Sequence, residues 1–212
     1  MMDELQEIYK DILALGLAAL SHVNRIEVQT DKWTELSILQ VAHATELLVK
    51  AEIAKEHPLL IFDKLPTPTK NGTGEIVDDL TLSELSEKGR TIEWSSLLEM
   101  LWASKGVKMI NTAKFAKFGR IRNSIQHFGI APPNENISYL TYLQFIYEVI
   151  DPFLYTYENL YAIDYSQDFD PSDENNTPYW NYIRKYLLEN EIVFSVSPRL
   201  YEFKDKWWCG IV

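Results

Sequence analysis

Apolar residues recur every three or four positions along most of the chain, and this spacing predicts amphipathic helices. The first helix is predicted at residues 3–28. A second, KWTELSILQVAHATELLVKAEIAKE, has Asp31 as its N-cap and ends near His57, because Pro58 disfavours a helical residue before it. The pattern contains no series of strands and no internal repeat. These features predict an all-α protein.

Proline and glycine then interrupt the helical pattern. Residues 65–79, LPTPTKNGTGEIVDD, are predicted to form a surface loop. Thr81 and Glu84 have the spacing of a capping box, which predicts a short helix that stops at Gly89. The next helix is predicted at residues 92–104 and also ends at a glycine.

Two longer helices complete the main pattern. One is predicted at residues 108–128 and stops at Gly129, ahead of two prolines. The other is aromatic-rich and is predicted at residues 138–162, with a bend at Pro152. The aromatic side chains of this helix are expected to pack in the core, because few lysines and arginines lie among them to hold a nucleic acid.

The predicted architecture is an all-α antiparallel bundle of about five helices over residues 1–165. Residues 166–212 are predicted to form an acidic linker and a helical, aromatic C-terminal addition. The last helix starts with Thr177 as N-cap and Pro178 at its first position.

Composition indicates a soluble cytoplasmic protein. The chain is 46% hydrophobic and 24% charged, which is usual for folded proteins. A single cysteine excludes an intramolecular disulfide and agrees with a reducing compartment. The sequence starts acidic where a secretory leader would be basic, and its apolar runs are too short to span a bilayer.

The charge distribution is uneven. A net charge of −11 argues against indiscriminate nucleic-acid binding. Residues 100–134, however, contain six basic residues and no acidic ones, and removing their +6 from −11 leaves −17 elsewhere. This segment is either an electrostatic footprint, with Lys114, Lys117 and Arg120 as candidate RNA-binding residues, or one solvated helix face.

The basic segment contains RIRNSIQHFG, residues 120–129. With Arg122 at zero and about 100° per residue, Gln126 falls near 40°, Asn123 near 100° and His127 near 140°. The apolar side chains of the segment fall on the opposite side. The four residues therefore share one polar arc. The usual phosphate loops and a zinc-ligand cluster are absent from the sequence, so neither a cofactor nor a metal is expected.

Two small residues, Gly119 and Ala116, precede this arc on the same side and would let another helix approach closely. That helix is either the same helix of a second subunit, since a two-fold interface places a surface against its copy, or another helix of the same bundle. A homodimer would gather two Arg–Asn–His sets in one basic cleft.

Arg-Asn-x-x-x-His at the end of a late helix resembles the HEPN superfamily of small helical domains. The resemblance extends to HFG, residues 127–129, and to HATELLVKAEIAKEHPLLIF, residues 43–62, which is similar to a free-standing bacterial HEPN family. The order of the predicted helices is similar over residues 1–165, but only these two segments match at the level of individual residues.

The resemblance implies a metal-independent endoribonuclease without a cofactor, of the toxin–antitoxin or antiphage-defence type, with its active site across a homodimer. It implies RNA as substrate and an antitoxin or defence-system protein as a partner. HEPN toxins paired with a nucleotidyltransferase antitoxin typically carry a tyrosine two residues after the histidine. Gly129 holds that position here, so this mode of neutralisation is not implied.

The candidate catalytic residues are His127, Arg122 and Asn123. An imidazole can take the proton of a ribose 2′-OH or give one to the leaving 5′ oxygen. A guanidinium can hold the phosphate with two hydrogen bonds and offset the charge that grows on it. Asn123 can orient the imidazole or bind a phosphate oxygen. The expected products carry a 2′,3′-cyclic phosphate and a 5′-hydroxyl.

Gln126 and Glu46 are the supporting candidates. Within the resemblance, Glu46 braces Arg122 or His127 from the second helix. The alternative, which has equal weight, is that Glu46 forms a surface i,i+4 ion pair with Lys50, worth a few tenths of a kcal/mol.

An alternative keeps the fold without catalysis. Arg122 then pairs with an acid across the bundle, His127 is structural, and the protein is a helical binding module for a nucleotide or a protein partner.

Overall fold

The structure, a computed structural model, describes residues 2–24, 33–109, 111–134, 137–165 and 179–195. It confirms the all-α prediction. Strand structure in these ranges is limited to the antiparallel pair β1 (Phe62–Lys64) and β2 (Arg90–Thr91) and one isolated bridge. The α-helices are α1 (Met2–Val23), α2 (Trp33–Glu56), α3 (Leu82–Lys88), α4 (Trp94–Lys105), α5 (Thr112–Phe128), α6 (Tyr139–Phe145), α7 (Asp151–Glu158) and α8 (Tyr179–Glu189).

The predicted helix ends follow from proline and capping residues. α2 ends at Glu56, and Pro58 begins a short 3₁₀ turn in which the His57 ring nitrogen Nδ1 accepts the Leu59 N–H at 3.2 Å. α1 ends at Val23, before the predicted position, and Asp31 lies outside the described residues. The predicted end of α2 is confirmed.

The short helix α3 begins as its sequence predicts. The Thr81 hydroxyl accepts the Glu84 N–H at 3.2 Å, and Gly89 ends the helix. Gly106 ends α4 and Gly129 ends α5, both with φ +69°, a left-handed conformation that glycine adopts at little cost.

The aromatic helix departs from the predicted single helix. A π-helical turn, Ile146–Ile150, lies between α6 and α7 and ends two residues before Pro152. Proline has no N–H for the carbonyl four residues earlier and its ring crowds that carbonyl. Here that carbonyl belongs to Glu148, and it accepts a hydrogen bond from the Asn111 side chain instead. The predicted core packing is confirmed for Tyr142, Phe145, Tyr147 and Phe153, which are all buried.

Spatial contacts divide the chain into two units: residues 1–15 with 46–108, and residues 16–45 with 109–212. Unit 1 buries side chains that include Leu48, Ile53, Leu85, Leu97 and Leu101. Unit 2 buries side chains that include Leu20, Ile38, Phe118, Ile146 and Leu154.

The C-terminal part of the chain is only partly described. Leu187 of α8 and Ile192 beyond it are buried, and they fall in unit 2. The predicted linker at 166–178, with Thr177 and Pro178, and the tail at 196–212 lie outside the described residues. The domain boundary predicted at residue 165 stays a prediction. In the described ranges, no helix has both the length and the apolar character needed to cross a membrane.

Candidate functional site

The helix α5 separates an apolar side from a polar one. Arg122 is half-buried, whereas Asn123, Gln126 and His127 are exposed. The apolar stripe is buried and consists of Phe115, Phe118, Ile121 and Ile125. Packing of this stripe fixes the helix and leaves the four polar residues at the surface, where a substrate can reach them.

A direct contact joins two of the candidate catalytic residues. Nη1 of Arg122 donates a hydrogen bond to Oδ1 of Asn123 at 2.9 Å. Arg122 makes further interactions in the chain. Asn123 therefore contacts the guanidinium, and its amide N–H groups remain donors on the exposed arc.

The imidazole of His127 lies at the exposed end of α5. Its ring is tilted by 67° to that of Phe128, with the centroids 6.5 Å apart. Phe128 is 76% exposed and Ile130 is 56% exposed, so the histidine has apolar surface next to it. Among the described residues, none hydrogen-bonds the imidazole. Both ring nitrogens can thus exchange protons with a bound substrate or with water.

The two small residues of the arc differ in exposure. Ala116 is exposed, whereas Gly119 is buried within the single chain. Ala116 is therefore the small residue that a second subunit can approach directly. The homodimer interface stays a prediction.

The three predicted RNA-binding residues differ in their surroundings on α5. Lys114 forms an ion pair with the carboxylate of Glu148. Lys114 and Lys117 both line a cleft formed with the α6 segment, and Arg120 is exposed but does not line it. Arg120 therefore lies outside this cleft.

This cleft was not predicted from the sequence. It has a volume of about 330 Å³. Its lining is Lys114, Lys117, Phe118, Ile121, Ile137, Thr141, Gln144, Phe145 and Glu148. A sequence signal exists: Thr141, Gln144 and Glu148 form a polar line at three- and four-residue spacing in an otherwise apolar helix.

The supporting residue Glu46 lies on α2. Its Oε1 is 2.6 Å from Nζ of Lys50, which also donates to the Thr91 hydroxyl at 2.9 Å. Lys50 is 6% exposed, so this i,i+4 pair is more buried than a surface pair. The bracing of Arg122 or His127 by Glu46 stays a prediction.

The described residues contain no group of three or more histidine, cysteine, aspartate or glutamate side chains placed to hold a metal ion. Comparisons with models of protein families, with curated proteins and with solved structures found no match. Function is therefore inferred from the residues of this chain.

Proposed function

We propose that this protein is a metal-independent endoribonuclease in which Arg122, Asn123 and His127 are catalytic. One observation carries the proposal. A guanidinium bonded to an asparagine at 2.9 Å lies on the same helix as an exposed imidazole, within a segment that has no acidic residue. These groups suit the binding of a phosphodiester and the transfer of protons at its two oxygens. The resemblance to HEPN ribonucleases supports the same assignment.

Each residue has a distinct role in the proposed reaction. His127 takes the proton of the ribose 2′-OH, and the oxygen attacks the adjacent phosphorus. The bond to the 5′ oxygen breaks, and a proton is returned to that oxygen. Arg122 holds the phosphate and offsets its growing charge, while Asn123 fixes the guanidinium and offers amide donors to the phosphate. The products are a 2′,3′-cyclic phosphate and a 5′-hydroxyl.

A homodimer is part of the proposal. The arc lies on an exposed helix surface, and an exposed surface does not keep water from the reacting groups. A second copy across a two-fold axis would cover the arc and bring a second Arg–Asn–His set to it. In the cell this activity would serve as a toxin or in antiphage defence, with an antitoxin or defence-system protein as partner.

The test is cleavage of a structured RNA by the full-length protein in EDTA. We expect wild-type protein to leave 2′,3′-cyclic phosphate ends. His127→Ala should lower the rate by about 10²–10⁴-fold, the usual contribution of a general acid–base. Arg122→Ala should lower it by about 10²–10³-fold. His22→Ala replaces a histidine of α1 that has no role in the proposed reaction, and it should keep wild-type activity.

Two outcomes would reject the proposal. One is a wild-type protein as inactive as His127→Ala; RNA binding without cleavage would then favour the helical binding module. The other is cleavage that survives His127→Ala unchanged, which would point to a contaminating nuclease or a different site.

A further inference from the structure

A groove lies on the surface of unit 1, in the segment that runs from the end of β1 to the first turn of α3. This loop groove is lined by Leu65, Pro66, Thr67, Pro68, Asp78, Asp79, Leu80 and Glu84. Its volume is about 180 Å³, below the range of about 300–1,000 Å³ found for small-ligand pockets. A groove of this size suits one side chain of a docked polypeptide better than a whole free ligand.

One wall of the loop groove is apolar. It consists of Leu65, Pro66, Pro68 and Leu80. The pyrrolidine rings fix the backbone φ angles of the two prolines, so this part of the wall has little freedom to rearrange. Leu65 is 43% exposed, and its side chain is therefore available to a partner. The wall offers apolar contact to one apolar side chain.

A small hairpin orders the loop that carries the groove. The Val77 N–H donates to the Thr69 carbonyl at 3.1 Å, and the Asn71 N–H donates to the Glu75 carbonyl at 2.9 Å. The Thr69 N–H also donates to both carboxylate oxygens of Asp78, at 3.0 and 3.1 Å. The loop is thus ordered before a partner arrives, and binding does not carry the entropy cost of ordering it.

The charged side chains that line the loop groove are all acidic. They belong to Asp78, Asp79 and Glu84. Nζ of Lys88 lies 3.1 Å from Oε1 of Glu84, whereas Asp79 forms no ion pair with any described residue. The hydrogen bond from Thr69 lowers the pKa of Asp78, so this carboxylate is ionised at neutral pH. The groove therefore favours a cationic segment and disfavours nucleic acid or an acidic peptide.

Large apolar side chains are also exposed along the same stretch of chain. Leu82 is 43% exposed, Val77 is 59% exposed and Ile76 is 61% exposed. Single exposed apolar residues are common on protein surfaces, but a concentration of them is typical of a surface that contacts another protein. Together with the size of the groove, this indicates a polypeptide as the occupant.

We propose that the loop groove binds a segment of a partner protein in which one apolar side chain of about the size of leucine is flanked by lysines or arginines. The apolar side chain lies against the wall of Leu65, Pro66, Pro68 and Leu80, as an anchor residue in a pocket. The flanking cations pair with Asp78 and Asp79. Free cations would leave the apolar wall uncovered, and an uncharged segment would leave Asp79 without an ion pair.

Fluorescence polarisation with labelled peptides and full-length protein tests the proposal. The first peptide has one leucine between two pairs of arginines. The second has serine in place of leucine, and it measures the background attraction of any basic peptide to an acidic protein. The third has the leucine between two pairs of glutamates. We expect the first peptide to bind at least about tenfold more tightly than either of the others, and its affinity to fall as salt is added.

Two pairs of variants locate the binding. Asp79→Lys reverses an exposed charge of the groove and should weaken binding of the leucine–arginine peptide at least about fivefold. Asp11→Lys makes the same change at an exposed position of α1 that does not line the groove, and should change the affinity by less than about twofold. Leu65→Ser should lower the affinity to that of the serine peptide. Leu188→Ser, an exposed position of α8, is its control.

Selective binding of the leucine–arginine peptide that both Asp79→Lys and Leu65→Ser weaken would support the proposal. It is overturned if no peptide binds, if the leucine and serine peptides bind equally, or if the groove variants bind as tightly as their controls. Sedimentation equilibrium covers the remaining occupant. If Asp79→Lys changes the oligomeric state and Asp11→Lys does not, a second copy of this chain fills the groove and the proposal is rejected.

Peptide binding at the loop groove does not depend on the proposed ribonuclease activity. The lining residues lie in unit 1, whereas Arg122, Asn123 and His127 lie in unit 2. The peptides are titrated without RNA, so failure of this proposal is distinguishable from failure of the ribonuclease. A His127→Ala protein should bind the leucine–arginine peptide like wild type.

Discussion

The carboxylate of Asp151 joins distant parts of unit 2. Asp151 is fully buried; its Oδ1 accepts the Ala162 N–H at 2.8 Å and its Oδ2 accepts the Ser195 N–H at 2.5 Å. Burial raises the pKa of Asp151, and the hydrogen bonds from Ser195 and Ala162 lower it by less. The sequence offered no sign of this role, because both partners are backbone groups far along the chain.

The raised pKa of Asp151 predicts a pH dependence of stability. A carboxyl whose pKa is higher in the folded protein binds a proton more readily there than in the unfolded chain. The stabilisation that the Asp151 carboxyl contributes is therefore present at pH values below 3.8, its ordinary pKa. It is lost as the pH rises through the raised pKa of the folded protein. The free energy of unfolding of wild type minus that of Asp151→Asn should decrease over this window. Urea unfolding of both proteins, at a series of pH values from 3.5 upward, measures this difference in the free energy of unfolding.

Asp151→Asn should also be less stable than wild type, by about 1–3 kcal/mol, because one backbone N–H would face an amide NH₂ instead of an acceptor. Asp79→Asn is the control, since Asp79 is exposed and should change stability by less than about 0.5 kcal/mol. A difference between wild type and Asp151→Asn that grows with pH would contradict the raised pKa.

For the catalytic candidates, the sequence predicted that the residues share one arc of the helix. It did not predict which of them contact each other. Helical spacing predicts which side of α5 each residue faces. The bond between Arg122 and Asn123 depends on side-chain rotamers, which spacing does not determine. The burial of Gly119 likewise depends on what packs against α5, and the pattern left both possibilities open.

The hydrogen bond from the Asn111 side chain to the Glu148 carbonyl allows a test of how the π-helical turn is stabilised. Asn111→Gly removes the amide but keeps the left-handed conformation at φ +59°. It should cost about 1 kcal/mol in the free energy of unfolding, the usual net value of one hydrogen bond. In a Pro152→Ala background the cost should fall by at least about 0.5 kcal/mol, because an alanine at that position restores the helical N–H for the Glu148 carbonyl.

Urea unfolding of the four proteins completes this double-mutant cycle. An equal cost of Asn111→Gly in both backgrounds would mean that Pro152 does not create the need for the Asn111 amide.

Lys105 connects α4 to α2 within unit 1. Its Nζ is 2.8 Å from Oε1 of Glu52 and 2.6 Å from Oε1 of Glu56, and Glu52 is 3% exposed. Burial lowers the pKa of Lys105, but the hydrogen bonds to the two glutamates outweigh it, and the pKa is raised. The stabilisation from this residue is therefore present below its ordinary pKa of 10.5 and is lost as the pH rises through the folded pKa.

Lys105→Met should lower the free energy of unfolding at pH 7 by about 2 kcal/mol, because it leaves a buried carboxylate without one of its partners. Removing one partner of a fully buried ion pair usually costs about 3–5 kcal/mol. The loss here should be smaller, because Nζ of Lys55 also lies 2.9 Å from a carboxylate oxygen of Glu52 and remains in the variant. Lys88→Met removes the exposed pair with Glu84 and should cost less than about 1 kcal/mol. Equal losses in the two variants would show that Lys105 acts as an ordinary surface charge.

Helix ends were predictable where one residue decides them. Pro58, Gly106 and Gly129 act through their own backbone geometry, and the observed ends of α2, α4 and α5 agree with the sequence. The start of α5 was not predicted at Thr112, because the left-handed Asn111 before it is held by its contact with Glu148.

At the scale of the whole molecule, the proposed homodimer depends on the exposed Ala116. Ala116→Glu would place two carboxylates against each other across a two-fold axis, and like charges in an interface are unfavourable. We expect the dimer dissociation constant of the variant to be at least about tenfold higher than that of wild type. RNA cleavage by the variant should therefore fall at protein concentrations that lie between these two dissociation constants. Sedimentation equilibrium and the EDTA cleavage assay measure the two effects.

Ala103→Glu, at an exposed position on α4, is the matched control and should change neither the dimer dissociation constant nor RNA cleavage. A wild-type protein that is monomeric and active would reject the composite site, while leaving the roles of His127 and Arg122 to be judged by their own variants.

By itself, the sequence determined the all-α class, the ends of α2, α4 and α5 and the polar arc of Arg122, Asn123, Gln126 and His127. These features arise from interactions within about four residues, so periodicity and capping chemistry encode them directly. The tertiary structure decided the cleft beside Lys117, the backbone contacts of Asp151 and the burial of Gly119. Each depends on groups that packing brings together from distant positions, and a local pattern carries no information about which surfaces meet.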